Sequence, residues 1–447
     1  MADSHKQKGE LMLKKIMIAA SFSAALLMTG SVTAASNSDT YRQLELLMDV
    51  FERIRAEYVE GVEDEELIEA AINGMLTSLD PHSSYMGPDN FRQMQVQTRG
   101  EYGGLGMEVT MENGVVKVIA PMDDTPASRA GILSGDYITH IDGEPILGLT
   151  LDEALDKMKG PANTDINITV IREGMDEPME FDLTRATIRL RSVMHQIERE
   201  DIGYVRITTF NEQATRGLRR AIRDMQEELG DDGMKGLILD LRNNPGGLLD
   251  EAIGVSDTFL GRGEVVSTRG RRERDHERYN AQTGDLTDGL PVIVLVNAGS
   301  ASASEIVAGA LQDHKRGIVL GEQTFGKGTV QTVIPLSAES AMRLTTSRYY
   351  TPSGRSIQEE GIEPDIEVIQ PLRRPDGSEF VPRRERDLRG HLANGATGLY
   401  PEEFDDVEHT GHMPAALEDE DGNRIDFQLQ YALDLLKGIA IADATIN

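Results

Sequence analysis

Three serines at alternate positions, Ser300, Ser302 and Ser304, run into Glu305-Ile306, and Lys327 follows between Gly326 and Gly328. The apolar run 292–296 leads straight into the serines, which predicts a buried strand delivering a hydroxyl to the start of a helix over 305–312. A serine at a helix N-terminus with a lysine as its base is one chemical solution to acyl transfer. The lysine is also set apart by rarity, since the chain has eleven and four fall within the first fifteen residues. A lysine takes a proton only when neutral, and burial favours its neutral form. The plain alternative is a lysine on a surface turn.

The residues alone leave the nucleophile open. Ser302 and Glu305 have the S-x-x-E spacing of a capping box, in which the hydroxyl only closes a helix end. Ser300 could cap instead and free the Ser302 hydroxyl, which puts Ser302 modestly ahead of its neighbours. Asp313-His314 invites a Ser-His-Asp triad, but the intervening helix would span about 16 Å. Neither side chain reaches Ser302 from there. The pair reads as a polar last turn, with His314 at the negative end of the helix dipole and Asp313 a candidate for placing the Lys327 loop.

These groups need elements to hold them. From about residue 187 the pattern is strand–helix–strand: a strand over 202–207, an amphipathic helix over 212–228 and a buried strand over 236–241. That last strand ends in Arg242-Asn243-Asn244-Pro245-Gly246-Gly247, and another helix begins near Leu248. The 292–296 run and its serines repeat the unit. Such alternation predicts an α/β layer, whose sites gather where strands end and helices begin. Glycine there lets a backbone N–H approach a substrate oxygen, as an oxyanion hole requires. Gly246, Gly247 and Ala303 are the candidates.

Residues 101–185 read differently, as short strands and glycine turns. Gly103-Gly104-Leu105-Gly106-Met107 leads into a strand and can aim successive N–H groups at a carboxylate. The strand edge beside it can pair with an extended peptide. A helix over 151–158 presents Leu151, Leu155 and Met158 to one side. With Thr125-Pro126-Ala127 to Gly131-Ile132, Ser134-Gly135-Asp136 and Ile141-Asp142-Gly143 in order between them, the series resembles a PDZ domain. That resemblance implies a reader of C-terminal tails, with Leu105, Gly106 and Met107 on the terminal carboxylate and Leu151 and Leu155 in the side-chain pocket.

The flanks are helical or polar. Leu44, Leu47, Met48, Phe51, Ile54 and Tyr58 recur at helical spacing, and a second helix is expected over 64–79 within an N-terminal helical segment, 39–95. Lys14-Lys15, the apolar run 16–28 and Val32-Thr33-Ala34 fit a cleaved export signal over 1–34, whose true start could be Met1 or Met12. That predicts a periplasmic protein. The tail, 371–447, carries arginines and then acidic stretches at 402–408 and 418–421, read as solvated linkers. A final helix over 427–436 is expected to serve self-association, with the N-terminal helices as counterpart. The net charge of −31 argues against nucleic acid as a partner. It suits a saline medium and an ordinary acidic periplasmic surface alike. The absence of cysteine excludes disulfides, a catalytic thiol and thiolate metal sites, and the histidines lack ligand spacing, so no metal or other cofactor is predicted.

In order along the chain, the signal, helical pair, PDZ-like module, Asp240-Leu241-Arg242-Asn243-Asn244-Pro245-Gly246-Gly247, the triple serine, Thr324-Phe325-Gly326-Lys327-Gly328-Thr329-Val330-Gln331 and Arg348-Tyr349-Tyr350-Thr351-Pro352-Ser353-Gly354 resemble the carboxyl-terminal processing proteases, a tail-specific family. The resemblance covers about residues 41–370. It implies a multidomain α/β chain with a crotonase-like protease core over 186–370 and the PDZ domain inserted near its start. It makes Ser302 the nucleophile, Lys327 the general base and Gln331 the partner that orients the lysine. It implies a serine endopeptidase acting on C-terminal tails of proteins, and it leaves room for an activating adaptor. A thioester-cleaving crotonase-like enzyme and an inactive PDZ scaffold are the competing readings, disfavoured by the PDZ module and by the intact Ser302, Lys327 and Gln331.

Overall fold

The computed structural model describes residues 31–446 apart from 113, 176, 231–232, 283, 371, 374–381, 395–414 and 417–425. The apolar run of the predicted signal and both acidic stretches of the tail lie outside the described residues. The chain falls into two units, Met1–Met75 and Leu76–Asn447. In the first, helix Ser31–Glu57 keeps Tyr41, Leu44, Leu47 and Met48 exposed. The following helix, Asp64–Thr77, opens on Asp64, Glu65 and Glu66, whose charges suit a helix N-terminus.

The second unit is built on a six-stranded sheet in the order Val193–Glu198, Ile202–Ile207, Gly236–Asp240, Val292–Val296, Ile318–Gly321 and Ile366–Glu367. The first pair is antiparallel and the rest are parallel. Val292–Val296 is buried at every residue, as a central strand covered on both faces must be. One face carries helices Ala214–Leu229, Leu249–Asp257 and Ala303–Asp313 in a single apolar cluster. The predicted strands 202–207 and 292–296 have the observed limits, and the serine helix starts two residues earlier than expected.

The other face is covered by the last helix, Phe427–Ile446. Its Ala432, Leu433 and Leu436 are buried against Ile202, Ile238, Ile293, Leu295 and Leu320. The helix expected to serve assembly thus gives part of its apolar surface to the chain's own sheet, which would otherwise lack a second layer, while Phe427, Tyr431 and Ile441 stay exposed. An ion-pair cluster fixes the helix start. The Arg242 guanidinium bonds both Asp240 oxygens and both Asp426 oxygens at 2.7 to 3.1 Å, and Tyr204 Oη donates to Asp240 Oδ2 at 2.7 Å.

A second, five-stranded sheet contains Ser84–Met86, which pairs with Ala341–Tyr350. The expected all-helical segment 39–95 is therefore interrupted. Three residues are too few to show a strand period. The PDZ-like region forms its own sheet, with Met107–Glu112 at one edge, beside helix Leu151–Met158. The tail is not uniformly solvated either, since Glu385 is buried in it. Leu436→Ala should lower stability by about 2–5 kcal/mol in denaturant titration and leave the particle mass by light scattering unchanged. A lower mass would restore an assembly role to this helix.

Candidate active site

Three loops leave the carboxyl ends of adjacent parallel strands, at 241–248, 297–302 and 322–328. Ser300 Oγ donates to the Leu241 carbonyl at 2.8 Å and Ser304 Oγ to the Asn244 carbonyl at 2.9 Å. The flanking serines thus use their hydroxyls to tie the first loop to the second. The Ser302 hydroxyl has no backbone acceptor among the described residues. Its neighbour is the Tyr349 phenol, whose pKa burial pushes up to about 12 while a hydrogen bond with Ser302 opposes the rise. This difference separates the three serines that the sequence left open.

Ser302 caps helix Ala303–Asp313 with φ 55° and ψ −110°, a conformation that costs a non-glycine residue on the order of 1–3 kcal/mol. Its N–H donates to Glu305 Oε2 at 2.7 Å, so the carboxylate holds the turn. The 241–248 loop lies directly on this turn. A Cβ at Gly246 would fall 2.8 Å from the Ala301 carbonyl oxygen and 2.9 Å from Ser302 Cβ, so only glycine fits. The Gly246 N–H is spent on Asn244 Oδ1 at 2.9 Å. The N–H groups of Gly247 and Ala303 have no acceptor among the described residues.

Glu305 joins the serine turn to the lysine loop. It is fully buried and accepts from Ser302 N, Lys327 N at 3.0 Å, Gly326 N at 2.7 Å and Thr324 Oγ1 at 2.5 Å. Burial pushes its carboxyl up to about 7, and these donors oppose the rise. Four donors converging on two oxygens favour the charged form. Lys327 is mostly buried and forms no ion pair among the described residues. Desolvation holds its ammonium below the usual lysine range, against the opposing pull of Glu385. Gln331 follows a bulge in strand Thr329–Pro335, and its amide donates to Thr329 Oγ1 at 2.9 Å and Thr345 Oγ1 at 3.3 Å. Its recorded bonds run to those threonines and not to Lys327. Asp313 accepts from Ser353 N at 2.8 Å, so it places that turn and not the lysine loop, correcting the expectation for it. His314 Nε2 lies 2.7 Å from the Glu264 carbonyl, far from this chemistry.

In the PDZ-like region Leu105 is buried, and its carbonyl accepts from Ala127 N at 3.0 Å. The Gly106 carbonyl accepts from Thr125 Oγ1 and Met122 N, both at 2.9 Å. These bonds use the carbonyls of the turn. Met107, Leu151 and Leu155 are part-buried around the same core.

The sequence pattern of peptidase family S41 matches residues 201–368, that of a PDZ domain 117–172, and that of the activating protease CtpB N-terminal domain 14–90. A carboxy-terminal-processing protease of Bartonella bacilliformis is 52% identical over 385 residues, covering 85% of this chain and 88% of its own. The chain belongs to the carboxy-terminal processing proteases of family S41. It is a serine peptidase carrying a PDZ domain. A carboxyl-terminal-processing protease of Synechocystis is 38% identical, over 71% of this chain and 75% of its own. The solved structure of a photosystem II D1 C-terminal processing protease is 30% identical, with coverage of 72% and 92% and a TM-score of 0.42.

For this processing protease, sequence reasoning missed Tyr349, Thr324 and the full role of Glu305. Glu305 was legible only as a capping residue, because its bonds to Thr324, Gly326 and Lys327 span about twenty residues of chain. Glutamine cannot accept at both of its oxygens' positions. Glu305→Gln should therefore cut kcat/KM roughly tenfold or more and lower stability by about 1–3 kcal/mol, read by peptide hydrolysis and denaturant titration. Near-normal turnover would remove Glu305 from the assembly.

Proposed function

We propose that this chain is an exported endopeptidase that selects proteins by their C-terminal tails and cleaves through a Ser302 acyl-enzyme. The observation that carries the proposal is Lys327, a mostly buried cation without an ion-pair partner among the described residues, on a loop bound through Glu305 to the Ser302 turn. Neutral Lys327 takes the Ser302 proton as Oγ attacks the scissile carbonyl. The N–H groups of Gly247 and Ala303 receive the oxyanion, and Gly246 contributes the space that lets the loop approach. Lys327 returns the proton to the leaving amine. It then deprotonates the water that hydrolyses the ester. Gln331 is the residue that the resemblance makes the lysine's orienting partner, and its amide bonds Thr329 and Thr345 here. The catalytic segment is 186–370 and the tail-reading segment 101–185, as the sequence suggests.

The signal at 1–34 would place the enzyme in the periplasm, and the match to an activating protease's N-terminal domain supports a partner that switches it on. Self-association uses the exposed apolar residues of helix Ser31–Glu57. Cell fractionation and light scattering of the exported chain test those two parts.

Ser302→Ala and Lys327→Ala should each abolish cleavage of an unfolded protein while the fold survives. Ser300→Ala and Ser304→Ala should mainly cost stability, about 1 kcal/mol each. The pH profile of kcat/KM should rise as Lys327 loses its proton, with its midpoint below the usual lysine range because burial lowers that pKa. Retained turnover in Ser302→Ala would refute the nucleophile assignment.

Tail reading is tested on full-length Ser302→Ala. A peptide with a free, apolar C-terminus should bind at least several-fold tighter than its C-terminal amide, because the turn at Leu105, Gly106 and Met107 would lose the carboxylate. Equal affinities would show that this module reads something else.

A further inference from the structure

Two segments far from the serine and lysine motifs converge on the Lys327 loop. One is the corner at residues 80–86 and the other is the tail segment 382–394, for which no role was expected. Glu385 N donates to the Phe325 carbonyl at 3.1 Å, on the approach to Lys327. The Glu385 carboxylate, 1% exposed, meets His82 Nε2 with both oxygens, at 2.9 and 2.8 Å. It also accepts from Gln358 Nε2 at 3.1 Å, and Gln358 Oε1 in turn accepts from Gly328 N at 2.9 Å. Glu385 therefore bonds to the loop on both sides of Lys327, once directly and once through Gln358. The segment is closed beyond it by His391 Nε2 on Glu359 Oε1 at 2.7 Å, while Glu359 N donates to the Gly326 carbonyl at 2.8 Å.

We propose that Glu385, held by His82, is a positioning residue for the reaction: it fixes the Lys327 loop from both sides and places a buried carboxylate against it. The inference rests on reading Lys327 as the general base. A carboxylate with two protein donors and almost no solvent keeps its field, because water does not screen it. Among the charges acting on Lys327, Glu385 is the largest, followed by Arg343, Glu305 and Asp80. Glu385 and the other two carboxylates favour the protonated lysine, whereas Arg343 and burial favour the neutral one. Glu305 is committed to three backbone donors and the Thr324 hydroxyl, and Asp80 to His82 N, Ser83 N and Ser83 Oγ at 2.8 Å and to Thr345 Oγ1 at 3.1 Å. Glu385 is the one of the three that meets a histidine ring.

The test is the pH profile of kcat/KM for full-length variants. Glu385→Gln keeps the shape and removes the charge, so the lysine should lose its proton more easily. Its acid limb should move to lower pH, and kcat/KM at a pH on the wild-type acid limb should rise relative to each enzyme's plateau. A merely structural loss would lower the whole profile without moving it. His82→Ala keeps the charge but frees the carboxylate, and should lower plateau kcat several-fold at little change in KM. If the two residues act as one unit, the double variant should be no worse than Glu385→Gln alone. An unmoved acid limb in a folded Glu385→Gln enzyme, or strictly additive losses in the double variant, would overturn the proposal. Thermal denaturation reports whether each variant folds, and His82→Ala keeps the test open if Glu385→Gln does not. Full turnover in Lys327→Ala would instead overturn the base assignment, separating that failure from this one.

Discussion

The arrangement of the site depends on one buried carboxylate. Glu305 accepts from the Ser302 N–H and from three donors on the lysine loop, so two loops at the ends of adjacent strands share one anchor. A charge with no water around it is costly unless its lone pairs are filled. Here the donors are mostly backbone groups fixed by the fold, so satisfying the carboxylate and assembling the site are the same event. The strained conformation of Ser302 follows from this. A serine at φ 55° persists only where its surroundings over-determine it, and Glu305, Gly246 and the Ser304–Asn244 bond supply that determination.

The scaffold beneath is rigid because both faces of the parallel sheet are covered. The helices on one face include the serine helix itself. The last helix covers the other, and its start is clamped by Asp426 to Arg242, the residue that follows the strand ending in Asp240. The loop 241–248 therefore sits between an apolar layer and an ion cluster. Removing one partner of so buried a cluster leaves an uncompensated charge, which costs far more than the pair contributes.

The sequence disclosed what local periodicity and residue rarity can disclose. Strand 292–296 was legible because it is a continuous apolar run of five residues between glycine turns, and strand 202–207 because apolar residues recur through it despite Arg206. The order of motifs disclosed the family. What stayed hidden was every group whose partner lies far along the chain. Glu385 sits in an arginine-rich stretch that looks solvated, and nothing local says that His82 waits for it 303 residues away. The last helix was visible, but an apolar stripe does not say which surface will cover it. The choice among Ser300, Ser302 and Ser304 likewise turned on which hydroxyls met a carbonyl across the site, a fact of tertiary structure alone.

The same reasoning explains why distant segments return to the lysine loop. Glycine on both sides gives Lys327 a backbone with few intrinsic preferences. A base must nonetheless be held to a fraction of an ångström of its working position. Since local sequence cannot supply that restraint, the fold supplies it from outside. Ser300 takes Phe325 N, Glu305 takes Gly326 N and Lys327 N, Gln358 takes Gly328 N, and the Gly328 carbonyl takes Tyr349 N. Each of these bonds closes a long loop of chain, and loop closure has an entropic cost that only the completed core offsets. The lysine is thus fixed only when the sheet, the strand bearing Tyr349 and the segment bearing Gln358 are all in place.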